Sequence, residues 1–295
     1  MTSRPSKSSA DALGLIAGAG SFPFLVAEGA RKEGRRLVIV GLRGFAEPGL
    51  KELADSFYWS GVVRLGRWKR IFRRERVGQA IMAGRVRKAD MYGRFRLLRY
   101  LPDLTSLKVW YRKARDKRND SILQAAADEL AAGGVTLIDS TRYCPQALAQ
   151  AGVLTAKPPN ERQWQDIRFG WRIAKEIARL DVGQSIAVKE QEVIAVEAIE
   201  GTDEMIRRAG QLCPQGGWTL VKVAKPNQDM RFDVPSIGPG TMDNMHAAGG
   251  KVLAVEAGKT LLLERERTLD LARKYGIIIV ALSGELSVPG GMPGA

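Results

Sequence analysis

Residues 13–40 constrain this chain more than any other stretch. Residues 13–17 (LGLIA) are a short apolar run that closes on Gly18-Ala19-Gly20-Ser21. An apolar-periodic stretch runs from there to about Lys32, and residues 37–40 (LVIV) form a second buried run. Strand, glycine turn, helix, strand is the first unit of an open α/β sheet. A glycine turn at a helix N-terminus presents free backbone N–H groups and the positive end of the helix dipole, which favours phosphate. The dinucleotide fingerprint is incomplete, however. Gly18 and Gly20 supply G-x-G, but position 23 is Pro, and the second strand ends in Gly41-Leu42-Arg43 with no acid for a ribose. The turn suits the phosphates of a nucleotide and not NAD; a tight βα turn that binds nothing has the same sequence.

With 295 residues, 45% of them apolar, the chain has length for two domains with real cores. Two cysteines, Cys144 and Cys213, make no disulfide framework and suit a reducing, cytoplasmic compartment. The single histidine, His246, excludes a His-based zinc site and leaves a Ser-His-Asp triad only one candidate. Phosphoryl chemistry with an oxygen-ligated Mg²⁺ or Mn²⁺ needs no histidine and survives that exclusion. No segment approaches the length of a membrane span, and the longest apolar run, 276–282, reads as a buried strand. Residues 1–12 and 285–295 read as disordered tails.

Charge is localised. Residues 64–118 carry 19 Lys plus Arg against four acids, while the whole chain carries +14. Trp68, Phe72, Tyr92, Phe95, Tyr100, Trp110 and Tyr111 are interleaved with these cations. Such a face can bind nucleic acid through phosphate contacts and stacking. It can equally meet an anionic membrane, or be a solvated face whose aromatics point inward. Residues 80–84 (AIMAG) read as a strand within it.

Further along, a helix starts at Asn119-Asp120 and a strand occupies 135–139. The pattern breaks up over 141–159, which sets a domain boundary near 145: residues 13–145 and 146–284. The second half opens with a helix over 160–180, then strand-like runs at 185–189 and 192–198. Glu200-Gly201-Thr202-Asp203 is a turn in which Thr202 or Asp203 can cap the helix 204–209. Strands at 218–224, 251–256 and 260–263, a helix at 269–275 and the strand 276–282 complete a mixed sheet.

The richest chemistry lies in residues 222–240, KVAKPNQDMRFDVPSIGPG. Prolines and glycines bar a long helix there, so the charges sit on an extended segment or turn. A strand would put Asp229, Arg231 and Asp233 on one face, alternating with Met230 and Phe232. Carboxylates among cations suit a divalent ion that itself holds phosphates; a solvated loop with surface ion pairs has the same spacing.

Four segments together resemble a known family: LGLIAGAGSFP, LDVGQSIAV with VIAVEAIEGTDEMIRR, DMRFDVPSIGPGTM, and VEAGKTLLLERE. They are similar to the UDP-2,3-diacylglucosamine pyrophosphatases of lipid A biosynthesis, the type unrelated to calcineurin-like metallophosphoesterases, over residues 13–282. The resemblance implies two α/β domains, an N-terminal open Rossmann-like sheet for UDP and a C-terminal mixed-sheet domain for the lipid-linked sugar phosphate, with the active site between them. It implies hydrolysis to UMP and 2,3-diacylglucosamine 1-phosphate (lipid X), with Mg²⁺ or Mn²⁺ required. Asp233 falls on the family's essential aspartate, with Arg231 and Lys225 expected to stabilise phosphate oxygens. Substrate contacts are expected from Gly18, Gly20, Ser21, Asp120, Gln184, Gly201, Thr202 and Gln228, and metal contacts from Asp233, Asp203 and Glu197. The 64–118 stretch is more basic than the family pattern. Partners expected are the lipid-linked substrate and the anionic inner face of the cytoplasmic membrane, bound peripherally, with a homodimer as the candidate assembly. The rival function is nucleic-acid binding by the basic face.

Overall fold

The computed structural model describes residues 12–86, 102–112, 119–226 and 228–283, which divide into two compact units. The division falls between Pro145 and Gln146. Met230–Phe232 belongs with the first unit, although the chain on either side of it belongs to the second.

The first unit is built on five parallel strands: β1 (Ala12–Ala17), β2 (Arg36–Leu42), β3 (Ser56–Ser60), β4 (Gln79–Ala83) and β5 (Thr136–Leu137). Their order is β3-β2-β1-β4-β5. Parallel neighbours need a crossover, and α1 (Phe22–Lys32) supplies it between β1 and β2, α2 (Leu65–Arg74) between β3 and β4. Helices α3 (Leu104–Arg112) and α4 (Asn119–Ala131) follow. The continuous apolar runs of β1 and β2 fit strands covered on both faces, and every residue of β1 is buried. Ile16, Val38, Val40, Phe72 and Leu130 form the centre of one core cluster. The strand expected over 135–139 shortens to two ladder residues, with Ile138 N–H still donating to the Ala80 carbonyl (3.0 Å).

The second unit carries a mixed sheet in the order β6-β13-β11-β9-β7-β8. Its strands are β6 (Gly152–Val153), β7 (Ser185–Lys189), β8 (Glu192–Val196), β9 (Thr219–Lys222), β11 (Val252–Glu256) and β13 (Ile278–Leu282). The three central strands are parallel; β6, β7 and β8 run antiparallel to their neighbours. A separate parallel pair joins β10 (Ser236–Ile237) to β12 (Leu261–Leu262). Helix α5 (Glu161–Arg179) starts on a capping box between Asn160 and Gln163 and packs Ile167 and Trp171 against Val221 and Val252 on one face. On the other face, α6 (Thr202–Leu212), α7 (Pro239–Ala247) and α8 (Arg265–Tyr275) bury Met205, Met242 and Ala272 around Trp218.

Of the two forms expected for residues 229–233, extended segment or turn, the structure has the turn: Asp233 N–H donates to the Asp229 carbonyl (3.3 Å), so Asp229, Arg231 and Asp233 do not share the face a strand would have given them. Pro239 and Gly240 open α7, because proline is tolerated in a first helical turn, where its missing N–H has no intrahelical partner to lose.

Candidate active site

In the first unit the strand order reverses between β1 and β4, the place where open α/β sheets form a ligand crevice at the strands' carboxyl ends. The glycine turn lies there. Gly18 N–H donates to Ala83 (2.8 Å), and Ala19 and Arg85 exchange two backbone bonds of 2.9 Å. The chains cross so closely that a Cβ on Gly18 would sit 2.8 Å from the Arg85 carbonyl oxygen. Gly84, at φ +93, would put one 2.8 Å from the Ala19 oxygen. The turn's first two amides therefore serve the fold. Those of Gly20, Ser21 and Phe22 have no acceptor among the described residues and face the start of α1, where Ser21 makes no side-chain cap. The part of the turn whose amides are not taken up by the fold is thus shorter than residues 18–21.

Asp120 lies in the first turn of α4. One turn later, Gln124 accepts from the Arg231 guanidinium (2.8 Å), which also stacks on the Phe232 ring (4.8 Å). Ser140 holds the Met230 carbonyl through its hydroxyl (2.6 Å) and its amide (3.0 Å). Arg231 is thus oriented by the first unit.

In the second unit, Lys225 reaches Asp181 (2.6 Å), and its amide donates to the Gln228 side-chain oxygen (3.1 Å). The Gln228 amide group donates to the Asp233 carbonyl. Asp233 is therefore pinned through its backbone while its carboxylate stays exposed, with no side-chain partner among the described residues.

A second group surrounds the start of α6. The N-cap is Gly201 (φ +86), with no side-chain cap bond, so neither Thr202 nor Asp203 caps the helix. Buried Lys222 donates to the Thr202 hydroxyl (2.8 Å), which donates to Glu197 (2.9 Å). Because an ammonium only donates, the Thr202 proton has to point at Glu197. The second oxygen of Glu197, the hydroxyl of neighbouring Ser185 and the side-chain oxygen of Gln184 are buried with no hydrogen-bond partner among the described residues. Asp203 accepts instead from Asn244 (2.9 Å). Among the described residues, no three His, Cys, Asp or Glu side chains lie close enough to hold a metal. Asp233, Asp203 and Glu197 are accordingly not assembled as an ion cage.

Lys222 and Glu256 went unassigned in the sequence, although each is a charge at the end of a buried strand. Glu256 is 1% exposed and accepts from Lys175 (2.5 Å) and the Ala224 amide (2.9 Å), with Lys259 3.0 Å from its other oxygen. Burial pushes its carboxyl up, but these donors outweigh burial and hold it below the usual range. In the basic region Trp68 and Phe72 are buried, which removes two of the aromatics that nucleic-acid stacking would use, whereas Tyr111 is exposed. Tyr92, Phe95, Tyr100 and the Trp110 side chain lie outside the described residues.

The model for the LpxI N-terminal domain matches residues 12–147, and the model for the LpxI C-terminal domain matches residues 150–280. The chain is similar to the UDP-2,3-diacylglucosamine pyrophosphatase LpxI of Caulobacter vibrioides. The two are 32% identical over 277 residues, covering 92% of this chain and 97% of that protein.

Proposed function

The chain belongs to the LpxI family, and we propose that it hydrolyses the pyrophosphate of UDP-2,3-diacylglucosamine to UMP and 2,3-diacylglucosamine 1-phosphate (lipid X) in lipid A biosynthesis. The observation that carries this reading is the similarity to the Caulobacter pyrophosphatase over 92% of this chain and 97% of that protein. Splitting a phosphoanhydride requires chiefly positioning and stabilisation of charge on phosphate oxygens. The amides of Gly20, Ser21 and Phe22 at the α1 N-terminus are suited to the UDP phosphates. Arg231, aligned by Gln124 and Phe232, offers a planar fork to non-bridging oxygens, and Lys225 a point charge. Asp233 is the carboxylate we assign to orienting the attacking water. Asp120, Gln184, Gly201, Thr202 and Gln228 complete the proposed substrate contacts.

The requirement for Mg²⁺ or Mn²⁺ belongs to the same proposal. The trio Asp233, Asp203 and Glu197 does not fit a protein-built cage, so no step is drawn through one. A pyrophosphate brings oxygen ligands of its own, and a bound ion would neutralise charge there. Because the substrate carries two acyl chains, we place the enzyme at the inner face of the cytoplasmic membrane, held reversibly by its basic face. No helix among the described residues is long and apolar enough to cross a membrane.

The test is UMP release from UDP-2,3-diacylglucosamine, with and without EDTA, by wild type and Asp233→Ala. The variant should lose at least about 100-fold in turnover while keeping its unfolding midpoint and its UMP affinity. Near-normal turnover by the variant would remove Asp233 from the mechanism, full activity in EDTA would remove the metal, and no turnover by wild type with any divalent ion would overturn the reaction.

A further inference from the structure

Helix α3 sits with its apolar row outward. Leu104 is 79% exposed, Leu107 39% and Tyr111 72%, three positions that lie along one stripe of a helix. The side turned inward carries Ser106 and Val109. Ser106 is buried, and its hydroxyl accepts from the Leu65 amide at the start of α2 (3.0 Å) and donates to Asp103 (2.9 Å). The other Asp103 oxygen accepts from the Arg67 amide (3.1 Å). These polar contacts, together with Val109 packed against the first unit's core cluster, set the rotation of α3 about its axis. A helix held this way presents leucines to whatever approaches it.

The surroundings state the charge of the approaching surface. An open cavity of about 420 Å³ lies between the two helices, lined by Lys69, Arg70, Arg73 and Leu104 and by Asp103, whose carboxylate is already engaged by the Ser106 hydroxyl and the Arg67 amide. Lys69 is paired with Glu129 (2.6 Å), which leaves the two arginines to serve an incoming anion. Arg67, Arg74 and Lys108 are also exposed on these helices. We propose that this face, the Leu104–Leu107–Tyr111 stripe with the α2 arginines, is the docking surface for an anionic lipid bilayer. Leucines enter the boundary between headgroups and acyl chains, tyrosine lies at headgroup level, and cations meet the lipid phosphates. A nucleic acid fits less well, since leucines neither stack on bases nor hydrogen-bond to them, and Trp68 and Phe72 are turned into the core. The inference rests on the lipid-linked substrate proposed above and names the surface that brings the enzyme to it.

Co-sedimentation of the full chain with phosphatidylglycerol–phosphatidylcholine vesicles tests this. Wild type should bind in proportion to phosphatidylglycerol content and release as salt is raised, because surface charge is screened within about 8–10 Å. Leu104→Asp with Tyr111→Asp, both at exposed sites, should lower partitioning about tenfold or more. Its hydrolysis of detergent-dispersed substrate should stay within about twofold of wild type, since these residues touch no assigned site. Leu104→Ser alone should show the same effect at smaller size, should the double variant unfold. Vesicle binding unchanged by either variant overturns the proposal. So does Arg70→Glu with Arg73→Glu abolishing oligonucleotide binding while leaving vesicle binding intact. Failure of the proposed reaction is separately visible, as wild type that does not hydrolyse dispersed substrate at all.

Discussion

Glu256 ends β11 in a place water does not reach, and two ammonium groups and the Ala224 amide keep it ionised. Ala224 precedes Lys225, so this carboxylate also anchors the entry to the segment that carries Asp233. Its folded pKa lies below the ordinary value of 4.5. The stability it contributes is therefore complete above the unfolded pKa and is lost as pH falls through the folded one. Glu256→Gln should flatten the acid limb of urea-measured stability below about pH 4.5, and Glu256→Ala should cost about 3 kcal/mol at neutral pH by leaving Lys175 without its buried partner. An unchanged acid limb in Glu256→Gln would show that the charge contributes nothing. Residue identity announced this group only weakly: a glutamate closing a run of valines and leucines marks a buried charge, but neither Lys175 nor Lys259 can be named as its partners from spacing. Thr202 makes the same point. A hydroxyl beside a glycine at a helix start reads as a cap, yet here it bridges Lys222 to Glu197, because β9 places an ammonium within 2.8 Å.

Among the elements, β1, α1 and β2 were legible because their apolar periods and the turn glycines act over a few residues. The long helix α5 was legible for the same reason. Helices α2 and α3 were not: the apolar period of α2, Leu65, Trp68, Ile71 and Phe72, is short and set among arginines, and the outward leucines of α3 mislead a reading that places apolar residues inside. At the crossing of the first turn with the end of β4, tertiary approach decides what a residue can be. Gly84→Ala should destabilise the first unit by about 1–3 kcal/mol, because the left-handed backbone is strained by any side chain and the Ala19 oxygen is backbone that cannot swing away. UMP binding should weaken with it, as the amides of Gly20 to Phe22 lose their alignment; titration calorimetry on the folded variant checks this. Tight UMP binding by a destabilised Gly84→Ala would detach the glycine crossing from the nucleotide seat.

For the molecule as a whole, each unit has its own sheet and core, and Met230–Phe232 is the exception to a simple two-part division of the chain. Phe232 packs with the first unit's core cluster although its neighbours in sequence belong to the second unit. Phe232→Ala should lower stability by about 2 kcal/mol, and hydrogen exchange should quicken in β1 to β4 while β9, β11 and β13 stay protected. Loss of protection in the second sheet instead would reverse that assignment. The α/β class, the glycine turn after β1 and the family could be read from residues 12–282 alone, because they rest on local period, turn chemistry and motif. Only the tertiary structure decided which amides of that turn remain for a ligand, which side of α3 faces out, and what orients Arg231. Gln124, which aligns that guanidinium, lies 107 residues away in the chain, and no local pattern carries information over such a separation until the first unit has folded.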